Sequence, residues 1–169
     1  MNNNRKMIKR IAYLGICTSM ALILSWVELM LPPIYSAIPG IKIGLPNIVI
    51  IFLLYRFGRR DAALVSLVRI SIVAILFGTP MTFAYSLAGS VLSLGVMMLL
   101  KKLDVLSCVG VSVAGGIFHN VGQIIMAVLL LGTAEIAYYL IVLSVTGTVA
   151  GVFVGLAGAL LNEKIPKLK

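Results

Sequence analysis

The chain has 169 residues, of which 61% are hydrophobic and 11% are charged, and its formal net charge is +9. Six apolar stretches, each close to the roughly 20 residues that span a bilayer, occupy almost all of it. This composition predicts an all-α integral membrane protein and excludes a sizeable water-soluble domain. No nucleic-acid-binding motif accompanies the basic residues, so membrane topology and anionic lipid headgroups explain the charge better than DNA or RNA does.

The six stretches predict a six-transmembrane-helix bundle in one domain, residues 1–169. After a basic segment at residues 1–10, we place the helices at residues 11–31, 45–57, 62–77, 81–100, 106–131 and 134–162. The first stretch is too long for a cleaved signal peptide and lacks a small-x-small cleavage site, so we retain it as a helix. The second is short, and it must include part of the preceding segment or be shielded by neighbouring helices.

The basic residues are distributed unevenly between the connectors. With six crossings, twelve of the 14 fall on one side of the membrane. These twelve are Arg5, Lys6, Lys9, Arg10, Arg56, Arg59, Arg60, Lys101, Lys102, Lys164, Lys167 and Lys169. The positive-inside rule assigns this side to the cytoplasm. We therefore expect a multi-pass protein of a bacterial plasma membrane with both termini cytoplasmic.

Charged residues near the outer ends of the predicted helices are the first candidates for a ligand site. Glu28 lies near the outer end of helix 1, and Arg69 lies about 12 Å from the outer end of helix 3. Arg69 either pairs structurally, with Glu28 as a possible partner, or lines a polar pocket. Residues 32–44, which include Lys42, are interrupted by proline and glycine, and they form either a structured loop over the helix ends or an ordinary connector.

Helices 4 and 5 each carry a polar stripe. Helical periodicity places Ser112, Gly116, His119 and Gln123 on one face of helix 5, with Asn120 one step round. This face either makes interhelical hydrogen bonds or meets a ligand. Helix 4 repeats the pattern with Thr82, Tyr85, Ser86, Gly89, Ser90 and Ser93. The outer part of that stripe is a candidate cavity lining, and the inner part is typical of helix packing.

Small residues form two further patterns. In helix 6 they recur every four positions at Gly147, Gly151, Gly155 and Ala159, which is typical of a close-packing seam. Helix 1 has a weaker version, in which Gly15 pairs with Ser19 and Cys17 pairs with Ala21. Such seams either hold the bundle together internally or form a docking face for another membrane subunit.

Motifs for catalysis are missing from the sequence. There is no Gly-x-x-x-x-Gly-Lys-Ser/Thr phosphate loop, and Asp61 and Asp104, the two aspartates, are far apart. Cys17 and Cys108 lack a metal-ligand or redox spacing, and no second histidine or carboxylate complements His119. We therefore expect no catalytic residue, no metal and no cofactor, and hence a protein that is not an enzyme.

Four blocks of sequence occur in an order that is typical of one family. They are PGIKIGLPNIV at residues 39–49, Arg69, FGTPMTFAYSLAG at residues 77–89 and HNVGQ at residues 119–123. With these blocks, nearly the whole chain resembles the Gx transporter family, which is also labelled heptaprenyl diphosphate synthase component I. That family is similar to the substrate-binding S components of energy-coupling factor (ECF) transporters.

The resemblance implies a six-helix S-component fold that holds a ligand near the outer face of the membrane. The implied site uses the loop between helices 1 and 2, the turn after helix 3, and helices 4 to 6. The candidate ligand-binding residues are Glu28, Lys42, Asn47, Arg69, Tyr85, His119, Asn120 and Gln123. A transmembrane coupling subunit and two cytoplasmic ATPases would supply energy. Gly15 and Ser19, with Cys17 and Ala21, would contact the coupling subunit.

The function implied is capture of a small vitamin-like or cofactor-like molecule from outside. The residues suit a small polar or heteroaromatic molecule, and the same set could accept a quinone or a flavin. Two alternatives of other classes remain open. One is a non-catalytic membrane subunit associated with heptaprenyl diphosphate or isoprenoid-quinone synthesis. The other is an autonomous secondary transporter, although the chain shows no inverted repeat and no mid-membrane acidic residue.

Overall fold

The computed structural model describes residues 3–31 and 44–165, and all regular secondary structure in these ranges is helical. The helices are α1 (Asn3–Met30), α2 (Asn47–Arg56), α3 (Arg59–Phe77), α4 (Pro80–Leu103), α5 (Cys108–Leu131) and α6 (Tyr139–Lys164). A short 3₁₀ helix, Ala134–Tyr138, precedes α6. Lys42 and the connector at residues 32–43 lie outside the described residues.

Local sequence determines where several helices begin and end. At the start of α4, the Thr79 hydroxyl accepts the Thr82 N–H at 3.2 Å, and the Thr82 hydroxyl accepts the Thr79 N–H at 2.8 Å. This reciprocal capping box is followed by Pro80, whose missing N–H costs nothing at the first helical position. Between α2 and α3, Gly58 has a φ of +111°, a conformation that residues with a Cβ rarely adopt.

The number of membrane-spanning helices differs from the prediction. Within the part of the chain that the structure describes, four segments are long and apolar enough to cross a bilayer, namely Met7–Met30, Pro80–Leu103, Cys108–Leu131 and Ala134–Lys164. The prediction of six such helices is therefore wrong. The ten residues of α2 extend only about 15 Å, and α3 carries Arg69 in addition to the charges of its first turn. In residues 3–31 and 44–165 the structure is thus a membrane helical bundle of six α-helices, four of which have spanning length and composition.

The shortest helix supplies much of the core. Ile50, Ile51, Leu53 and Leu54 of α2 are almost completely buried, because α2 packs against α1, α3 and α6. Its neighbours therefore shield α2 from lipid, which is one of the two arrangements that the sequence allowed. A backbone of this length is acceptable at membrane depth because protein surrounds it.

The most extensive packing places α5 between α4 and α6, and glycines allow the close approach. A Cβ on Gly151 would lie 2.6 Å from the Cα of Val113, and one on Gly155 would lie 2.7 Å from the Cα of Val109. A Cβ on Gly147 would meet the Asn120 side chain at 2.7 Å. The small-residue seam of α6 therefore lies inside the bundle, against α5, and Ala159 at its end is partly buried.

One end of the bundle collects the basic residues, and we call it the basic end. Arg10 of α1 donates to both carboxylate oxygens of Asp61 of α3, at 2.6 and 3.1 Å. Lys101 of α4 donates to the Leu54 carbonyl of α2, and Arg56 donates to the Ile165 carbonyl after α6. The starts of α1 and α3 therefore meet the ends of α2, α4 and α6 there. The helix directions alternate, so α1 and α3 end, and α4 begins, at the opposite end.

Candidate ligand-binding site

Arg69 is a buried cation in the bundle interior. Its position on α3 leaves only 6% of the residue exposed. The guanidinium donates to Ser25 of α1 at 3.3 Å and to Ser90 of α4 at 3.5 Å, both longer than a typical N–H···O bond. Among the described residues, its Nε has no hydrogen-bond partner. Arg69 thus joins three helices and keeps donor capacity for a further acceptor.

Glu28 is buried on α1 and holds the chain segment that leads into α2. Its carboxylate accepts the backbone N–H of Gly44 and, at 3.3 Å, that of Leu45. Negative charge is favourable near the N-terminal end of a helix, where backbone N–H groups are unsatisfied. The carboxylate also interacts favourably with Arg69 through charge. The structure therefore brings Glu28 and Arg69 together, with Ser25 on the same face of α1.

A cavity of about 190 Å³ lies beside Arg69 toward the opposite end of the bundle. Helices α1, α3 and α4 form its wall, which combines one cation and two hydroxyl groups with apolar side chains. The lining residues are Leu29, Arg69, Ile70, Val73, Ala74, Phe77, Gly78, Thr82, Phe83 and Ser86. We call this space the Arg69 cavity. It has the makeup of a small-molecule site, in which a few polar groups orient a ligand against apolar walls.

The polar stripe of α5 is buried between α4 and α6. Asn120 donates to the Leu143 carbonyl of α6 at 2.5 Å, so its amide makes an interhelical hydrogen bond. His119 and Gln123 lie against Gly89 of α4, where an added Cβ would approach both side chains to about 3 Å. Gln123 is 0% exposed, and within residues 3–31 and 44–165 neither of its amide atoms has a hydrogen-bond partner.

Tyr85 and Asn47 do not line the Arg69 cavity. Tyr85 is buried on α4, one turn before Gly89. Asn47, at the start of α2, faces a small void of about 10 Å³ with Ser93 and Ser112. Within the described part of the chain, no group of three histidine, cysteine or acidic residues is placed to hold a metal ion.

Two of the four predicted docking residues of α1 are exposed, and the other two are buried. Gly15 and Ser19 are exposed, and a Cβ on Gly15 would meet open space. Cys17 and Ala21 are buried in the main hydrophobic core. The pairing of Cys17 with Ala21 is therefore a core contact in this fold, and a docking surface on this part of α1 retains Gly15 and Ser19.

Comparison with known proteins identifies the family. The model of the family described as heptaprenyl diphosphate synthase component I matches residues 17–161. The chain belongs to this family. Searches of curated proteins and of solved structures gave no match.

In this member of the component I family, the matched residues include every residue that lines the Arg69 cavity. The residues around the cavity that sequence reasoning missed include Ser25 and Phe83. Ser25 lies three residues before Glu28 and hence on the same face of α1, which is a signal that periodicity contains. Phe83 gave no such signal, because an aromatic residue on an apolar helix is ordinary.

Proposed function

We propose that this protein is the membrane-embedded substrate-binding (S) component of an ECF-type transporter. It captures a small vitamin-like or cofactor-like molecule from outside the cell, and partner ATPases power the uptake. The observation that carries the proposal is the Arg69 cavity, a buried cation in a mixed polar and apolar pocket. A buried arginine within a membrane bundle is expensive, and such residues mark substrate pathways.

The position of the cavity supports capture from outside. The basic residues collect at the other end of the bundle, and the positive-inside rule assigns that end to the cytoplasm. The cavity then faces the exterior, as uptake requires. The membrane is the bacterial plasma membrane, and both termini are cytoplasmic in this proposal.

The residues proposed to contact substrate differ in how close they lie to the Arg69 cavity. Arg69 lines the cavity directly, and Glu28 supports it from α1. Gln123 and His119 are candidates on α5, and Tyr85 is a candidate on α4. The predicted ligand-binding set has three further members. They are Lys42 in the outer connector, Asn47 at the start of α2 and Asn120 between α5 and α6.

Energy would come from other subunits, because the chain has no phosphate loop. The proposed partners are a transmembrane coupling subunit and two cytoplasmic ATPases. Gly15 and Ser19 are the proposed contact, since small residues on an exposed helix face allow another helix to approach closely. In this assembly the chain has no catalytic role of its own.

Affinity purification from native membranes in mild detergent tests the proposal. We expect the tagged chain to recover an ATPase pair and a multi-span coupling subunit. Gly15→Leu and Ser19→Leu should reduce this recovery, because bulky side chains hold a partner helix away. Gly95→Leu on α4 is the matched control, since a Cβ at Gly95 also meets open space. Equal recovery with all three variants would refute the docking surface, and the absence of ATPases would refute the transporter.

The family description favours a second candidate, a non-catalytic membrane partner of a prenyl diphosphate synthase. The same purification separates the two, because a synthase subunit would then replace the ATPases. If neither is recovered and the purified chain alone moves substrate in liposomes, the protein is an autonomous transporter.

A further inference from the structure

An apolar groove follows the surface of α4. It has a volume of about 550 Å³ and is lined by residues that include Phe83, Leu87, Val91, Gly95 and Leu99 of α4 and Met126 of α5. From Phe83 to Leu99 the helix rises about 24 Å, which is most of the thickness of a hydrocarbon core. The groove is therefore long and uniformly apolar, which suits a linear apolar chain.

Phe83 connects this groove to the polar interior. Its side chain lines the groove, the Arg69 cavity and a third space of about 480 Å³ at the turn between α3 and α4. Phe83 is thus part of the wall of both the groove and the Arg69 cavity. Aromatic side chains change position by rotating about two bonds, so a ring in this place can open a route between the two spaces.

We infer that the ligand is an anionic amphiphile with a single linear chain. Its phosphate or carboxylate head binds Arg69, and its chain lies in the α4 groove past Phe83. This inference rests on the proposed function and names the substrate class of that site. Two observations carry it, the position of Phe83 in the wall of both the groove and the cavity, and the charge of the buried arginine.

The guanidinium is suited to such a head. Its bonds to Ser25 and Ser90 are long, at 3.3 and 3.5 Å, and among the described residues its Nε makes none. Arginine presents a planar fork of donors that matches carboxylate and phosphate oxygens. The Glu28 carboxylate accepts the N–H groups of Gly44 and Leu45. The hydroxyl of Ser86 lines the same cavity and can donate to the head.

The test measures binding of dodecyl phosphate to the full chain in nanodiscs of zwitterionic lipid. A chain-end photoreactive group maps where the chain lies. We expect saturable binding, with crosslinks on α4 between Leu87 and Leu99. Arg69→Gln should weaken binding roughly tenfold or more, because it removes a charge-assisted contact. Ethyl phosphate, which has the head but no long chain, should bind more weakly than dodecyl phosphate.

Gly95→Phe provides a second test of the inference if the Arg69→Gln variant does not fold. A side chain at Gly95 meets open space in the groove, so the substitution should preserve the fold. The phenyl ring would then fill the space that the alkyl chain of the ligand occupies. We expect affinity to fall by roughly five- to 150-fold. Gly15→Phe on α1 is the control, since that glycine is equally open but lies outside the groove.

Three results would overturn the inference. In the first, Gly95→Phe leaves affinity unchanged. In the second, ethyl phosphate binds as tightly as dodecyl phosphate. In the third, excess anionic two-chain phospholipid displaces the probe, which would make the groove an ordinary lipid contact. Recovery of the coupling subunit and ATPases is measured separately, so each of these results can occur while the proposed transporter stands.

Discussion

At the scale of single residues, the charge interaction between Glu28 and Arg69 contributes to the stability of the polar interior. Isolated charges in an apolar interior are costly, and the cost is reduced by an opposite charge and by hydrogen bonds. Here Arg69 has two serine hydroxyls and the charge of Glu28, while Glu28 has two backbone N–H groups. The two residues should therefore behave as one energetic unit.

A double-mutant cycle measures this coupling. Arg69→Gln removes the positive charge that acts on Glu28, and loss of one partner of a buried pair costs roughly 3–5 kcal/mol. Glu28→Gln keeps an oxygen acceptor for the Gly44 N–H, so its cost should be smaller. The measurement is the free energy of unfolding in detergent. We expect the double variant to be destabilised by about 0.5–3 kcal/mol less than the sum of the two single destabilisations. Strict additivity would show that the two charges are independent.

Gln123 allows a second prediction at this scale. Its buried amide has no hydrogen-bond partner among the described residues, and leaving such a group unsatisfied costs about 1–3 kcal/mol. Gln123→Leu should therefore keep or raise the melting temperature, while it lowers the amount of small molecule retained after purification. Mass spectrometry of the retained molecules measures the second effect.

Asn120→Ala is the matched control on the same helix. Because Asn120 bonds to the Leu143 carbonyl, this change should lower the melting temperature, with a cost of about 0.6–1.7 kcal/mol. If Gln123→Leu lowers stability and leaves retention unchanged, its amide is structural and α5 has no part in the ligand site.

At the scale of elements, the α5–α6 contact depends on glycines that no larger residue can replace. Gly151→Ala places a Cβ 2.6 Å from the Cα of Val113, and overpacking of this kind costs about 1–3 kcal/mol. Gly95→Ala on α4 meets open space, so it should be neutral or stabilising by up to about 1 kcal/mol through helix propensity. Thermal unfolding of the two variants compares them. Equal melting temperatures would mean that α5 and α6 separate easily.

The elements also show what sequence can and cannot predict. Periodicity found the polar faces of α4 and α5, because a helical face is a property of one segment. The predicted number of spanning helices was too high, because α2 has only ten residues and α3 is too charged. That protein surrounds α2 could not be predicted from one segment, because it depends on α1, α3 and α6. The approach of Ser25 to Arg69 and the wall that Phe83 shares between two spaces could not be predicted either, because both arise where separate helices meet.

At the scale of the whole molecule, the charge distribution predicts the orientation. We expect the basic end in the cytoplasm and the opposite end outside. Arg59→Cys marks the first end and Thr133→Cys the second, and both positions are exposed. In a background without Cys17 and Cys108, an impermeant thiol reagent added to intact cells should label Thr133→Cys and spare Arg59→Cys. The reverse pattern would place the Arg69 cavity toward the cytoplasm and exclude capture from outside.

The burial of α2 has a consequence for biogenesis. Ten residues are too few for the insertion machinery to release this segment as a stable span. Its partners α3 and α6 are synthesised after it, and the Lys101 that binds its last turn also follows. We therefore expect α2 to enter the bundle late, when the later helices have been translated, so that a ribosome-stalled chain ending before α6 leaves this segment open to protease.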